Sequence, residues 1–143
     1  RAESGEAWKH VLKTLGVRLS EFEGLVISGG TKAGICAEVG RLSAEKTGET
    51  RKWTSIGYLP RGTTPDLIDH RYDRLIFTAG ETFSEIEPLQ YWTDILASGI
   101  SPDEVDFVRY GGGALSQYED RLFKDLRLRH HRPGDCDSGN EIA

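Results

Sequence analysis

Apolar positions recur along the chain in two periods, one of helices and one of strands. Trp8, Val11, Leu12 and Leu15 stand at i, i+3, i+4 and i+7, the spacing of one helix face. Gly16 follows and reads as a C-cap. Leu25-Val26-Ile27 is an apolar run too short for a helix, and Ser28-Gly29-Gly30 closes it as a buried parallel strand would close. Helical spacing returns after Gly34 with Ile35, Val39 and Leu42, up to about Lys46.

Thr47 to Lys52 is polar and reads as a loop, and Trp53 to Leu59 as a second strand. Leu75-Ile76-Phe77, closed by Thr78-Ala79-Gly80, predicts a third. Thr82 and Glu85 have capping-box spacing ahead of a helix whose shared face would hold Ile86, Leu89, Thr93 and Leu96. Ser101-Pro102-Asp103-Glu104 starts a helix that the following residues do not sustain, so a single turn is expected. Val105 to Tyr110 reads as a fourth strand. Ser116 and Glu119 then fit another capping box, before a helix with Leu122, Phe123 and Leu126 inward. Strands alternating with helices predict an α/β fold, a Rossmann-like parallel sheet with helices on both faces.

Composition narrows the classes. The 143 residues suit one domain with a single core, and 37% hydrophobic against 29% charged is a globular balance. The net charge of −5 gives no field that would favour nucleic acid. No apolar run approaches the roughly 20 residues of a membrane helix, and no segment reads as a signal peptide. Cys36 and Cys136 form no CxxC motif, so a reduced, cytoplasmic protein is the expectation. The start at Arg1 and the polar end from Pro133 to Ala143 suggest a domain excised from a longer protein.

Glycine is abundant, at 17 residues, and it gathers where the strands end. The four predicted strand ends carry Ser28-Gly29-Gly30-Thr31-Lys32-Ala33-Gly34, Arg61-Gly62-Thr63-Thr64, Ala79-Gly80-Glu81-Thr82 and Gly111-Gly112-Gly113-Ala114. Ligands of open parallel sheets bind outside the carboxyl ends of the strands. Helix starts there offer unpaired N–H groups, and Gly lets a phosphate come close to the backbone. A tight strand-to-helix loop needs Gly whether or not anything binds, so no single loop is informative; four at one edge are. Arg61 could grip a phosphate with its guanidinium fork or pair with a surface carboxylate. Glu81 would repel phosphate, and suits a ribose hydroxyl or a base, or is a surface residue. Glu119, at its capping position, has a bland reading as well.

Other chemistries find no pattern. The Gly30–Gly34 loop is not GxxxxGK[ST], and GxGxxG is absent. His130, His131 and Cys136 lack a partner pair at zinc spacing, so no metal is expected, and no cofactor. The cluster Arg127, Arg129, His130, His131, Arg132 reads as a solvated helix end. No Ser-His-Asp grouping appears.

Leu25 through Ile35, with its strand, GGT-x-x-G loop and helix, resembles the SLOG superfamily. The similarity is to the branch that includes the nucleotide-binding amino-terminal regions of TRPM channels and prokaryotic relatives. Gly111-Gly112-Gly113-Ala114 with Tyr118, Glu119, Arg121 and Leu122 is similar to the GGxxxxxE-x-R-L segment of bacterial members. The resemblance implies a Rossmannoid domain over residues 1–129 that lacks its first strand, with 130–143 a polar tail. It also implies a ligand of ADP-ribose or cyclic-nucleotide type, sensed for a fused or associated effector. Some relatives act in antiviral, anti-phage signalling. A homo-oligomer is compatible with this, since part of the pocket is either missing or supplied by another chain.

The expected ligand contacts are Ser28, Gly29, Gly30, Thr31, Lys32, Gly34, Arg61, Gly80, Glu81, Thr82, Gly111, Gly112, Gly113 and Glu119. A second class is open, similar to the lonely-guy phosphoribohydrolases, which release a base from a nucleoside 5'-monophosphate and carry PGGxGTxxE. Residues 111–119 lack the Pro and the GT, while Glu119 stands near the place of the catalytic Glu. The missing signature favours sensing over hydrolysis, with no catalytic residue assigned unless Glu119 serves.

Overall fold

A computed structural model describes residues 5–45, 51–110 and 112–130. It is α/β and Rossmann-like, with a three-stranded parallel sheet and, among the described residues, four α-helices. The chain divides into two compact units between Phe83 and Ser84. No helix among the described residues is long and apolar enough to cross a membrane.

The first unit begins with α1, Gly5–Ser20. Gly16 lies inside this helix and does not end it, because the apolar period continues: Leu15 and Leu19 are both buried. β1 (Glu23–Ser28), β2 (Lys52–Pro60) and β3 (Arg74–Thr78) follow in the order β1-β2-β3. α2, Gly34–Glu45, joins the first two. The register aligns Ser28 with Gly57 and Pro60 with Thr78.

Right-handed crossovers that step the same way along a sheet lie on the same face. α2 is the first crossover, and residues 61–73, with one 3-10 turn at Pro65–Leu67, are the second. Their contacts agree: the Tyr72 hydroxyl donates to the Cys36 carbonyl at 2.8 Å, and Arg71 Nη2 to the Ala37 carbonyl at 3.2 Å. On β2, Trp53, Ser55, Gly57 and Leu59 are buried and share a face by the two-residue period. Ser55 meets Ser43 of α2 at 2.7 Å between hydroxyl oxygens, so this is the face that α2 covers. Asp73 closes the polar part of the core. Its carboxylate accepts from the Ser55 N–H and from Arg51, and its own N–H donates to the Ser55 hydroxyl.

The second unit holds α3, Ile86–Ala97, and α4, Ala114–His130. Between them is the expected single turn, Pro102–Glu104, capped by Ser101 and Glu104 in a true capping box. The expected strand at 105–110 does not form; the sheet has three strands. Phe107 finds a helix instead, for its ring stacks on Phe123 of α4 at 5.4 Å, while Val108 is exposed.

The face expected of α3 is also reversed. Ile86, Leu89, Thr93 and Leu96 are exposed, whereas Glu87, Pro88, Trp92 and Ile95 are buried. Trp92 stacks on Phe123 at 6.1 Å. Thr82 and Glu85 form no capping box: Glu85 is itself the N-cap and its side chain makes no cap bond, while Ser84 and Glu87 bond around it. The Ser84 hydroxyl accepts from the Ile86 N–H, and Glu87 Oε1 accepts from the Ser84 N–H. Ser116 and Glu119 lie inside α4, past its first residues, so they form no capping box either.

Candidate functional site

A parallel register puts every carboxyl end of the sheet on one side. The loops after Ser28, Pro60 and Thr78 therefore leave the same edge. Backbone bonds tie the second loop to the third: the Arg61 N–H donates to the Thr78 carbonyl at 2.8 Å and the Gly62 N–H to the Gly80 carbonyl at 3.0 Å. The first loop backs onto β2 through Gly30, since a Cβ on Gly57 would fall 2.6 Å from the Gly30 Cα. Ser28, Gly29, Gly30, Thr31, Lys32, Gly34, Arg61, Gly80, Glu81 and Thr82 are thus gathered at one sheet edge.

They are not equally accessible there. Gly30, at φ +73°, and Thr31 are buried, so packing alone explains that glycine. The Ser28 hydroxyl turns to the Cys36 sulfur at 3.3 Å. Lys32, Gly34, Arg61, Gly80, Glu81 and Thr82 are exposed. Gly34 opens α2 at φ +53°, and a Cβ there would meet nothing within 4 Å. The first-turn N–H groups of Gly34, Ile35 and Cys36 have no carbonyl within the helix to serve, which suits an anion.

Gly112, Gly113 and Glu119 belong to the second unit, and Gly111 lies outside the described residues, as do His131 and Cys136. Among the described residues no strand leads into Gly112-Gly113, so the strand-end rule does not extend to this segment. Gly112 fits closely over Ser116, and the Gly113 carbonyl accepts the first helical bond of α4 from the Gln117 N–H at 3.0 Å. Glu119 points to α3, where the Tyr91 hydroxyl donates to its Oε2 at 2.8 Å. Burial pushes the Glu119 carboxyl above its ordinary range; the Tyr91 bond pulls it down in part, and the charge of Glu87 adds to the rise. Burial beside Glu119 likewise raises the Tyr91 phenol.

Sequence reasoning missed the pair that holds the first loop in place. Asp69 is fully buried, and Arg71 grips it with two bonds, Nε to Oδ1 at 2.9 Å and Nη2 to Oδ2 at 2.8 Å. The Arg71 N–H adds a third at 3.0 Å. Burial alone would raise this carboxyl; the Arg71 bonds and charge, with Lys32 further off, outweigh it and hold it below the usual range. The Asp69 N–H donates to the Gly30 carbonyl at 2.9 Å, and the Lys32 N–H to the Leu67 carbonyl at 2.9 Å. In the sequence Asp69 and Arg71 only mark a charged turn, and nothing there pairs that turn with Gly30 or Gly40.

No protein-family model, curated protein or solved structure matches the chain. Among the described residues no three His, Cys, Asp or Glu side chains group as metal ligands would.

Proposed function

We propose that this chain binds a nucleotide-derived, phosphate-bearing small molecule, of ADP-ribose or cyclic-nucleotide type, as the sensing part of a larger signalling or anti-phage defence protein. The observation that carries the reading is the convergence of the Gly34, Arg61 and Glu81 loops at the carboxyl edge of a parallel sheet. A phosphate would sit on the first turn of α2 beside Lys32. Arg61 would take a second phosphate, and Glu81 a ribose hydroxyl. The resemblance of Leu25–Ile35 to SLOG domains is what names the ligand class.

Glu119 supports a second reading, release of a base from a nucleoside 5'-monophosphate. A half-buried carboxyl with a raised proton affinity and a tyrosine bond is suited to acid–base work. The missing PGGxGT pattern weighs against it.

Melting the protein against ADP-ribose, cyclic nucleotides and nucleoside monophosphates, with released base measured in the same samples, tests both. A ligand at 100 times its Kd adds about 2.7 kcal/mol of apparent stability. Gly34→Asp should remove that gain and keep the fold. Asp tolerates positive φ better than most residues, and its carboxylate would stabilise the helix start while repelling an anion. An undiminished shift in Gly34→Asp would refute the phosphate position. Base release that vanishes in Glu119→Gln would establish the second reading.

A further inference from the structure

Residues 63–68 run across the first loop as a short strap. Lys32 donates to the Leu67 carbonyl and Asp69 to the Gly30 carbonyl, both at 2.9 Å, with Thr31 and Ile68 facing each other as an antiparallel bridge. A protein carbonyl thus occupies the Lys32 N–H, and the bridge accompanies the burial of Gly30 and Thr31. Gly30 is buried by β2 itself, so of these groups it is the Lys32 N–H, next to the first turn of α2, that an incoming phosphate would use.

The two ends of the strap are anchored and its middle is not. Upstream, Arg61 and Gly62 extend the ladder to Thr78 and Gly80. Downstream, Asp69 is locked by Arg71, Tyr72 by the Cys36 carbonyl, and Asp73 by Ser55 and Arg51. Between these anchors Thr64, Pro65 and Asp66 are exposed, and Leu67 is 48% exposed. Lifting the segment, with Asp69 kept in place, would cost few apolar contacts and one backbone bond to the loop, from the Lys32 N–H to the Leu67 carbonyl.

We propose that residues 63–68 are a gate, closed in this structure, which lifts from Thr31 and Lys32 and frees the Lys32 N–H for the phosphate of the ligand, while the Asp69–Arg71 pair serves as its fixed hinge. The gate rests on the binding site proposed above. It adds a regulated step to it: affinity is set in part by how often the strap opens.

Two measurements test it. In the unmodified chain, the Lys32 amide should exchange with solvent through local opening, unaffected by low denaturant, while the Tyr58 amide follows global unfolding. Exchange of Lys32 together with Tyr58 would overturn the gate without reference to any ligand. The second is a reversible lock. The bonds flanking Thr31 and Ile68 make them a non-hydrogen-bonded pair, whose Cα atoms stand about 4.5 Å apart, within disulfide range. Thr31→Cys with Ile68→Cys, with Cys36→Ser and Cys136→Ser to prevent mispairing, can be titrated with ADP-ribose oxidised and reduced. The oxidised form should bind about tenfold or more weakly than the reduced form of the same variant, since no open fraction remains. Equal binding by both forms would overturn the gate. Should neither form nor the unmodified chain bind any nucleotide tried, the binding reading fails, and the amide exchange decides the strap alone.

Discussion

Gly40 leaves the space that the Asp69 carboxylate fills. A Cβ at that position would collide with the carboxylate and push it off Arg71. Gly40→Ala should therefore cost on the order of 1–3 kcal/mol in urea unfolding, as leaving a buried polar group short of its partners does; a loss within the ordinary scatter of surface substitutions would mean the carboxylate is not held there. The pH dependence follows from the direction of the Asp69 shift. Its folded carboxyl is held below the unfolded value of about 3.9, so its stabilisation is present above that pH and is lost as pH falls through the folded value. The advantage of the native chain over Asp69→Asn should shrink below about pH 4. Glu119 has the opposite sign. Its folded carboxyl is raised, so Glu119→Gln should gain on the native chain as pH rises from about 4 through the folded value. Neither effect was legible in the sequence: Asp69 and Arg71 stand two residues apart, but the burial of Asp69 against Gly40 comes only with folding, and Glu119 meets Tyr91 from 28 residues away.

At the scale of elements, the sequence was most informative where one period dominated and least where two competed. β1, β3 and α2 lie close to where short apolar runs and the Ile35-Val39-Leu42 spacing put them. Gly16 stands where a helix end would follow the Trp8–Leu15 spacing, but Leu19 continues the stripe and the helix runs through. A Cβ on Gly16 would meet nothing within 4 Å. Gly16→Ala should thus raise stability by roughly 0.5–1 kcal/mol, as for Gly inside a helix; a loss on denaturation would return Gly16 to a cap of positive φ. On α3, both Ile86-Leu89-Leu96 and Pro88-Trp92-Ile95 have helical spacing, and the aromatic weight of Trp92 against Phe123 decides the buried side. In Val105–Tyr110 the apolar residues suit a strand equally well, yet Phe107 has an aromatic partner on α4. Local pattern could not choose between them.

For the whole molecule, alternation of strand and helix was enough to give a parallel α/β fold, and with it the rule that strand ends share an edge. What it could not give was the boundary between Phe83 and Ser84, which puts Gly112, Gly113 and Glu119 in a different unit from Gly34 and Arg61. Nor could it show that Gly30 and Gly57 owe their identity to mutual packing. The central claim is that the carboxyl edge of this sheet takes the ligand. Following the backbone amide resonances of the chain during titration with ADP-ribose tests it most directly. We expect saturable shifts at Lys32, Gly34, Ile35, Cys36, Arg61 and Gly80 to Thr82, with Glu23, Lys52 and Arg74 at the opposite edge unmoved. Shifts centred on Glu23, Lys52 and Arg74, or confined to residues around Tyr91 and Glu119, would contradict it.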